Sequence, residues 1–162
     1  MICNARDSNK PHVVTFMTIF KMPSMDKSEY DMLIEEEYIC RIAFKGGSHP
    51  YIAPFLYVFD GKFMYFLSTN YGKKVQYFRQ NPSVTVEVER FTPDLSNFSF
   101  VAIPGRIEEV LDPEIKSNAR QKFVELIKKK NLSSNEGFDL VSVNSSLNSR
   151  VNIFNPYSRS WT

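Results

Sequence analysis

The side chains best suited to chemistry lie close together in residues 68–74, between two stretches that alternate like β-strands. The lysines of this segment open a short helical pattern, and the first amides of a helix have no partner within the helix. Hydroxyl groups, free amides and cations at a helix N-terminus are the components of a phosphate site. The same residues could equally form a solvated turn with surface lysines. The segment comprises two hydroxyl residues, a glycine and two lysines: Ser68, Thr69, Gly72, Lys73 and Lys74.

The position of Lys73 and Lys74 raises a question about charge. The positive end of the helix dipole disfavours a cation in the first turn by about 0.3–1 kcal/mol at an exposed site. Either the two lysines tolerate this cost, or an anion lies above them and offsets it.

The remaining sequence contains no nucleophile spaced for a general base, no Walker loop and no GxGxxG motif. His49 lies in a turn with no other residue at metal-ligand spacing, which favours an exposed polar role over metal or haem ligation. Glu108 and Glu109 are neighbours on a predicted strand, so they point to opposite faces and do not form a carboxylate pair. If the protein is an enzyme, we expect a cofactor to supply the reactive atoms.

Two or three helices are predicted around this segment, and two of them have clear start signals. Asp26 and Glu29 have the spacing of a capping box, while Asp112 and Pro113 mark the start of a later helix. The third helix is the short one that Lys73 opens. The later helix has a single apolar stripe, which consists of Ile115, Ala119, Phe123 and Leu126.

Alternating apolar residues predict six main strands, at residues 39–44, 51–59, 62–68, 83–89, 98–110 and 150–154. A hairpin is indicated at Asp60-Gly61, and a further short strand at residues 140–143. Six antiparallel strands with two or three marginal helices are typical of a small, mainly β barrel. On the first strand, Arg41 could reach an acidic group at the barrel rim or face water.

The composition of the 162-residue chain fits one domain, with residues 1–21 as an N-terminal extension and residues 22–162 as the barrel domain. A net charge of +2 gives no reason to expect a nucleic-acid partner. The two cysteines form no metal or disulfide pattern, and no apolar run approaches the ~20 residues that span a membrane. We therefore expect a soluble, cytoplasmic protein.

The order of these segments resembles the pyridoxamine 5′-phosphate oxidase-like family of FMN-binding split-barrel proteins. The resemblance extends over about residues 26–130 and is carried by CRIAF, HPYIAPF, MYFLS, TNYGKK, QNPSV and IPGRIEEVLDPE, in that order. It implies a six-stranded antiparallel split β-barrel that forms a homodimer, with FMN in a cleft between the subunits.

The resemblance also implies a cofactor-binding set. The strand with Ala53, Pro54, Phe55 and Leu56 would lie along the isoalloxazine ring. Ser68 and Thr69 would contact the ribityl-phosphate region, Lys73 and Lys74 would bind the phosphate, and Arg41 completes the set. The implied function is that of an FMN-dependent oxidoreductase of a small molecule, with no side chain assigned as catalytic. The true oxidases of the family carry an arginine near the position of Ala53, so oxidation of vitamin B6 is not expected.

Three other functions remain open from the sequence. Relatives of this fold bind haem, for which His49 is a conceivable ligand, or a deazaflavin coenzyme. A sensor or storage protein could bind FMN without turnover. An interaction module could retain the barrel without any cofactor.

Overall fold

The computed structural model describes residues 24–69, 71–132 and 150–156. The predicted extension at residues 1–21 and the predicted strand at residues 140–143 lie outside the described residues. The described part contains three helices and six strands, in the order α1 Lys27–Glu36, β1 Ile39–Phe44, β2 Tyr51–Phe59, β3 Met64–Ser68, α2 Lys73–Gln80, β4 Ser83–Phe91, β5 Phe98–Glu109, α3 Pro113–Lys129 and β6 Arg150–Phe154.

The six strands close into an antiparallel barrel in the order β1-β2-β3-β6-β5-β4, which confirms the predicted fold class. The long strand β5 completes the closure, because it pairs with β4 from Phe98 to Arg106 and with β6 from Ile107 to Glu109. Where β5 changes partner, a Cβ atom on Gly105 would come within 2.5 Å of the Phe154 ring. Glycine at this position therefore lets the backbone approach the barrel core closely.

The interior of the barrel is filled by one face of each strand. Val84, Val86 and Val88, which alternate along the strand predicted at residues 83–89, all point inward and are buried. Each large apolar side chain that is fully buried contributes about 1.5–3 kcal/mol relative to an exposed one. Because strand side chains alternate, the intervening residues of the same strands form the outer surface of the barrel.

Helix α1 begins with the predicted capping box. The Asp26 carboxylate accepts a hydrogen bond from the Glu29 amide at 2.9 Å, and the Glu29 carboxylate accepts one from the Asp26 amide at 2.9 Å. At the other end of the helix, Leu33 and Ile34 are buried against the barrel, and the Tyr57 hydroxyl donates to the Ile34 carbonyl at 2.8 Å. These contacts fix α1 on the barrel.

Helix α3 packs on the outside of the barrel, against a second apolar cluster that includes Val58, Tyr65 and Val151. The predicted stripe of this helix is only partly right: Ala119 and Phe123 are buried, but Ile115 is 40% exposed and Leu126 is only half-buried. The row that packs is Ala119, Phe123 and Ile127, joined by Val124, because residues four apart lie on one helix face. Within the described residues, no helix combines the length and hydropathy needed to span a membrane.

Candidate functional site

A pocket lies where α2 packs across the barrel, and four phenylalanine rings line it. Strands β1, β2 and β3 and helix α2 each contribute one ring; in this order they are Phe44, Phe55, Phe66 and Phe78. The cavity that the lining residues enclose is about 20 Å³, room for about one water molecule. We call this space the aromatic pocket.

The polar side chains of the aromatic pocket are Ser68, Lys74 and Asn152. Ser68 ends β3, and Asn152 lies on the adjacent strand β6, from which its Nδ2 donates to the Ser68 Oγ at 2.9 Å. Asn152 is only 5% exposed and is the one polar residue in the buried core of the described chain. Its Oδ1 has no hydrogen-bond partner within that part of the chain. An unpartnered amide oxygen in an apolar surrounding destabilises the folded state unless a ligand or water binds it.

Lys74 lies at the side of the aromatic pocket, with its Nζ 5.0 Å from the centroid of the Phe55 ring. This is a favourable cation–π distance. Neither Lys74 nor its neighbour Lys73 forms an ion pair with a carboxylate in the described part of the chain. Both lysines therefore keep an unbalanced positive charge at the start of α2.

The start of α2 has no side-chain cap. Gly72 occupies the N-cap position with φ +100°, a conformation that favours glycine. Its carbonyl accepts from the amides of Val75 and Gln76, both at 3.2 Å. The amides of the two lysines come earlier in the helix and have no intrahelical carbonyl to bind. The free amides and the uncompensated lysines coincide, as a site for an anion requires.

The structure separates the four residues predicted for the phosphate region. Ser68 and Lys74 meet in the aromatic pocket. The Thr69 hydroxyl instead donates to the Tyr71 carbonyl at 2.8 Å, and Lys73 is exposed at the surface. The pocket lining thus includes one hydroxyl and one lysine, and the second lysine precedes it on α2 in an exposed position.

The residues predicted to lie along a flavin ring divide between the two faces of β2. Ala53 and Phe55 point into the barrel and are buried, whereas Pro54 is exposed and Leu56 is half-buried on the other face. Arg41 lies on the same outer face, opposite Pro54 in the register of β1 and β2. Because adjacent strand residues lie on opposite faces, only Pro54 and Leu56 of the predicted set direct their side chains to the outside of the barrel.

Arg41 bonds to acidic residues, the first of the two alternatives that its position allowed. Its guanidinium forms an ion pair with Glu87 at 3.4 Å and a closer one with Glu89, both on β4. Hydrogen bonding to Glu89 raises the pKa of Arg41. Burial raises the pKa of Glu87, and repulsion by Glu89 raises it further, although Arg41 opposes this. Arg41 is thus paired within the chain, and its two carboxylate partners leave the group with one net negative charge.

Large apolar residues surround this ion pair on the outside of the barrel. Five of them are between 44% and 62% exposed: Ile39, Ile52, Phe91, Phe98 and Phe100. The rings of Phe98 and Phe100 lie 5.6 Å apart. We call this surface, together with Arg41 and Pro54, the outer sheet face. Several large apolar side chains exposed on one face of a sheet indicate an interaction surface.

Two features of these sites escaped the sequence analysis. Asn152 occupies an inward position of β6, next to Phe154, and the alternation of residues 151–154 could have indicated an amide inside the barrel. Phe98 and Phe100 are two residues apart on β5 and so share a face. His49 is exposed in the turn between β1 and β2, and no group of three potential metal ligands occurs among the described residues.

Solved structures with a similar fold include several with named functions. A FAD-binding protein from Mesorhizobium loti shares 21% identity, with a TM-score of 0.62, over 81% of this chain and 89% of that one. The heme storage protein HutZ from Vibrio cholerae shares 10% identity, with a TM-score of 0.63, over 82% and 91%. An F420 reductase shares 17% identity, with a TM-score of 0.55, over 79% and 93%. At sequence identities this low, the structural similarity establishes that the chain shares their fold and nothing about its function.

Comparison at the level of sequence is more specific. No curated protein has significant sequence similarity to the chain. The family model described as pyridoxamine 5′-phosphate oxidase, however, matches residues 26–144. This match covers most of the chain, including β1 to β5 and all three helices. The chain therefore belongs to the pyridoxamine 5′-phosphate oxidase family.

Proposed function

We propose that this protein is an FMN-binding flavoprotein that acts as an oxidoreductase on a small molecule. The observation that carries the proposal is the start of α2, where two lysines without carboxylate partners and two free amides adjoin the aromatic pocket. The family and the FAD-binding and F420-reducing proteins of similar fold support a flavin-type cofactor.

The phosphate of FMN fits the start of α2 on grounds of charge. A hydrogen bond to a charged group typically contributes about 1.5–3 kcal/mol. Each lysine loses about 0.3–1 kcal/mol by its position at the helix N-terminus. A bound phosphate therefore more than compensates for the placement of Lys73 and Lys74.

The isoalloxazine ring fits the outer side of β2, near Pro54 and Leu56. This position leaves one face of the ring against the barrel and requires a second surface to cover the other. The outer sheet face is largely apolar, and its Arg41 is already paired with two carboxylates, so covering the face leaves no cation without a partner. We infer that a second copy of the chain covers it, which gives a homodimer with the flavin at the subunit interface.

When bound, the flavin accepts and delivers the electrons, and the protein binds, orients and shields it. The described residues near β2 provide apolar walls rather than an acid or a base. Substrate selection would then depend on the shape of the cleft between the two subunits. No side chain is assigned a catalytic role.

The first test is a visible absorption spectrum of the purified protein after FMN has been added and the excess removed. We expect a two-band flavin spectrum to remain with the protein. The variant Lys73→Ala/Lys74→Ala should lose at least about 30-fold in FMN affinity, because one charge-assisted contact and one screened, exposed charge are removed. The matched control is Lys128→Ala/Lys129→Ala, which removes two exposed lysines at the end of α3.

The outcomes of this test are distinct. If the control variant loses affinity as strongly as the variant of α2, net charge rather than a phosphate anchor governs binding. If the unmodified protein retains no flavin, the proposal is wrong. Anaerobic addition of NADH or NADPH then separates an oxidoreductase from a storage protein, since only the former should pass electrons to bound flavin.

Haem is the second candidate, because HutZ has a similar fold. His49 is exposed and has no partner ligand at hand, so it would bind haem only with help from another subunit. A Soret band in protein reconstituted with haem, abolished by His49→Ala, would favour this candidate over FMN.

A further inference from the structure

We propose that the aromatic pocket binds one ordered water molecule, which donates a hydrogen bond to the Asn152 Oδ1 and accepts one from the Ser68 hydroxyl. The pocket is then a hydration site in the barrel interior, and its ligand is water rather than any part of a cofactor. This water site does not depend on whether the protein binds a flavin.

The Asn152 amide supplies the first polar contact of the site. Its side chain is 5% exposed and lies on β6, opposite Phe66 of β3. The Oδ1 has no hydrogen-bond partner in the described structure, and a buried amide oxygen without a partner destabilises the folded state. A group that donates a hydrogen bond is therefore required beside this oxygen.

The size of the cavity excludes ligands much larger than water. Its volume is about 20 Å³, whereas one water molecule needs about 10–15 Å³. Phenylalanine rings and aliphatic side chains form most of the lining, so an organic group or a phosphate would have to displace close-packed side chains of the core. Water fits without repacking the barrel.

The charges of the lining select a neutral ligand. The Lys74 ammonium lines the same cavity and would repel a small cation. The Asn152 oxygen only accepts hydrogen bonds and would repel an anion. Water carries no net charge and both donates and accepts, so it suits an amide oxygen and an ammonium group together.

The hydrogen bonds of the site close into a ring around the water. The Asn152 Nδ2 donates to the Ser68 Oγ at 2.9 Å, which leaves the one hydroxyl proton of Ser68 available to the water oxygen. The water in turn donates to the Asn152 Oδ1, so each of the three groups donates once and accepts once. A hydrogen bond from Lys74 to the water brings its total to the three that are typical of buried water.

A crystal structure of the ligand-free protein, at a resolution that shows ordered water, tests the site directly. We expect a peak of electron density about 2.5–3.0 Å from both the Asn152 Oδ1 and the Ser68 Oγ. In the variant Ser68→Ala/Asn152→Leu the peak should disappear, because both ring partners of the water are removed. Asn118→Leu, at an exposed position of α3, is the matched control and should keep the peak.

Thermal midpoints test the ring in solution. Ser68→Ala alone should lower the midpoint by about 2–4 °C, because it leaves the Asn152 NH₂ group and the water each short of one hydrogen bond. Addition of Asn152→Leu should recover most of this loss, since no buried polar side chain of the ring then remains unpaired. The control Asn118→Leu should change the midpoint by no more than about 1–2 °C.

Three results would overturn the water site. One is the lack of a density peak in contact with the Asn152 amide in the unmodified protein, and another is a peak that persists unchanged in the double variant. The third is a double variant that melts at a lower temperature than Ser68→Ala, since the two side chains would then stabilise the barrel independently. If the double variant does not fold, the density in the unmodified protein decides. None of these results bears on the flavoprotein proposal, because FMN binding is measured separately.

Discussion

The aromatic pocket and the outer sheet face both combine a cation with phenylalanine rings, but they treat the cation differently. On the outer sheet face, Arg41 is balanced by two carboxylates of β4. In the aromatic pocket, Lys74 rests over the Phe55 ring with no carboxylate nearby in the described structure. Both cations belong to the predicted cofactor-binding set, but in the structure Arg41 is paired with carboxylates and Lys74 is not.

This difference shows which of the two regions is prepared for an anion. A charge that is already paired gains little from a ligand and must break its own bonds to bind one. A charge without a partner gains the full interaction. The start of α2, beside the aromatic pocket, is therefore better prepared for an anion, and the outer sheet face is better prepared for an apolar partner.

The largest expected effect is on the free energy of unfolding, and it compares a ring of the aromatic pocket with a ring of the outer sheet face. Phe66 is fully buried, whereas Phe100 is 45% exposed. Phe66→Ala should lower the free energy of unfolding by about 3–5 kcal/mol because it leaves a cavity. Phe100→Ala should lower it by no more than about 0.5 kcal/mol in the monomer. Urea denaturation at low protein concentration measures both. Equal losses would mean that Phe100 is part of the core.

A second effect concerns association. Phe98→Asp/Phe100→Asp places two charges on the outer sheet face and should raise the dimer dissociation constant at least about 100-fold. Sedimentation velocity over a range of concentrations measures this change. Glu108→Lys, an exposed change elsewhere on β5, is the control. A dimer that persists in the aspartate variant would show that another surface forms the interface.

A third effect compares the two lysines of α2. Lys74→Met should weaken FMN binding by about tenfold or more, because Lys74 lines the aromatic pocket. Lys73→Met should weaken it by only about threefold, because an exposed charge is screened by water and salt. Fluorescence titration at two salt concentrations measures the difference. A larger loss at Lys73 would mean that Lys73, and not Lys74, is the main contact of the phosphate.

The smallest effect is the pH dependence of the outer sheet face. The pKa of Glu87 is raised by burial and then by Glu89, so its ionised form is less favourable in the folded than in the unfolded chain. The folded state is therefore more stable when Glu87 is protonated. This stabilisation is complete below the pKa of Glu87 in the unfolded chain and is lost as the pH rises through its pKa in the folded chain.

The substitution Glu87→Gln removes this loss. We expect it to stabilise the protein by up to about 1 kcal/mol at pH 7 and to have no effect below about pH 4. Thermal midpoints across this pH range measure the effect. Glu35→Gln, on an exposed position of α1, is the control. A loss of stability at pH 7 would mean that Glu87 contributes more through Arg41 than burial removes.

Much of the barrel could be predicted because its signals are local. The alternation of Val84, Val86 and Val88 defines an inward face, and the capping box at Asp26 defines a helix start. The stripe of α3 was harder, because several residues of the helix are apolar and only packing on β2 and β6 decides which are buried. Ile115 illustrates this, since it fits the helical period but stays exposed.

The candidate site was predictable only in part, for a similar reason. Ser68 and Lys74 are six residues apart, so a sequence pattern could associate them. Asn152 lies 84 residues from Ser68, and only the pairing of β3 with β6 brings their side chains together. Short sequence patterns do not predict which distant strands pair. The prediction also could not divide Ala53 and Phe55 from Pro54 by role without knowing which face is the interior.

The sequence by itself determined the strand periods, the helix starts and the placement of two lysines at the head of a short helix. These depend on interactions between residues a few positions apart, which the order of residues specifies directly. The tertiary structure alone decided which charges are balanced and which polar atom is left unpaired. Closure of the barrel sets Arg41 beside Glu87 and Glu89, and it buries the Asn152 amide next to Ser68. Electrostatic partners and burial depend on distances through space, which arise only when the six strands have closed.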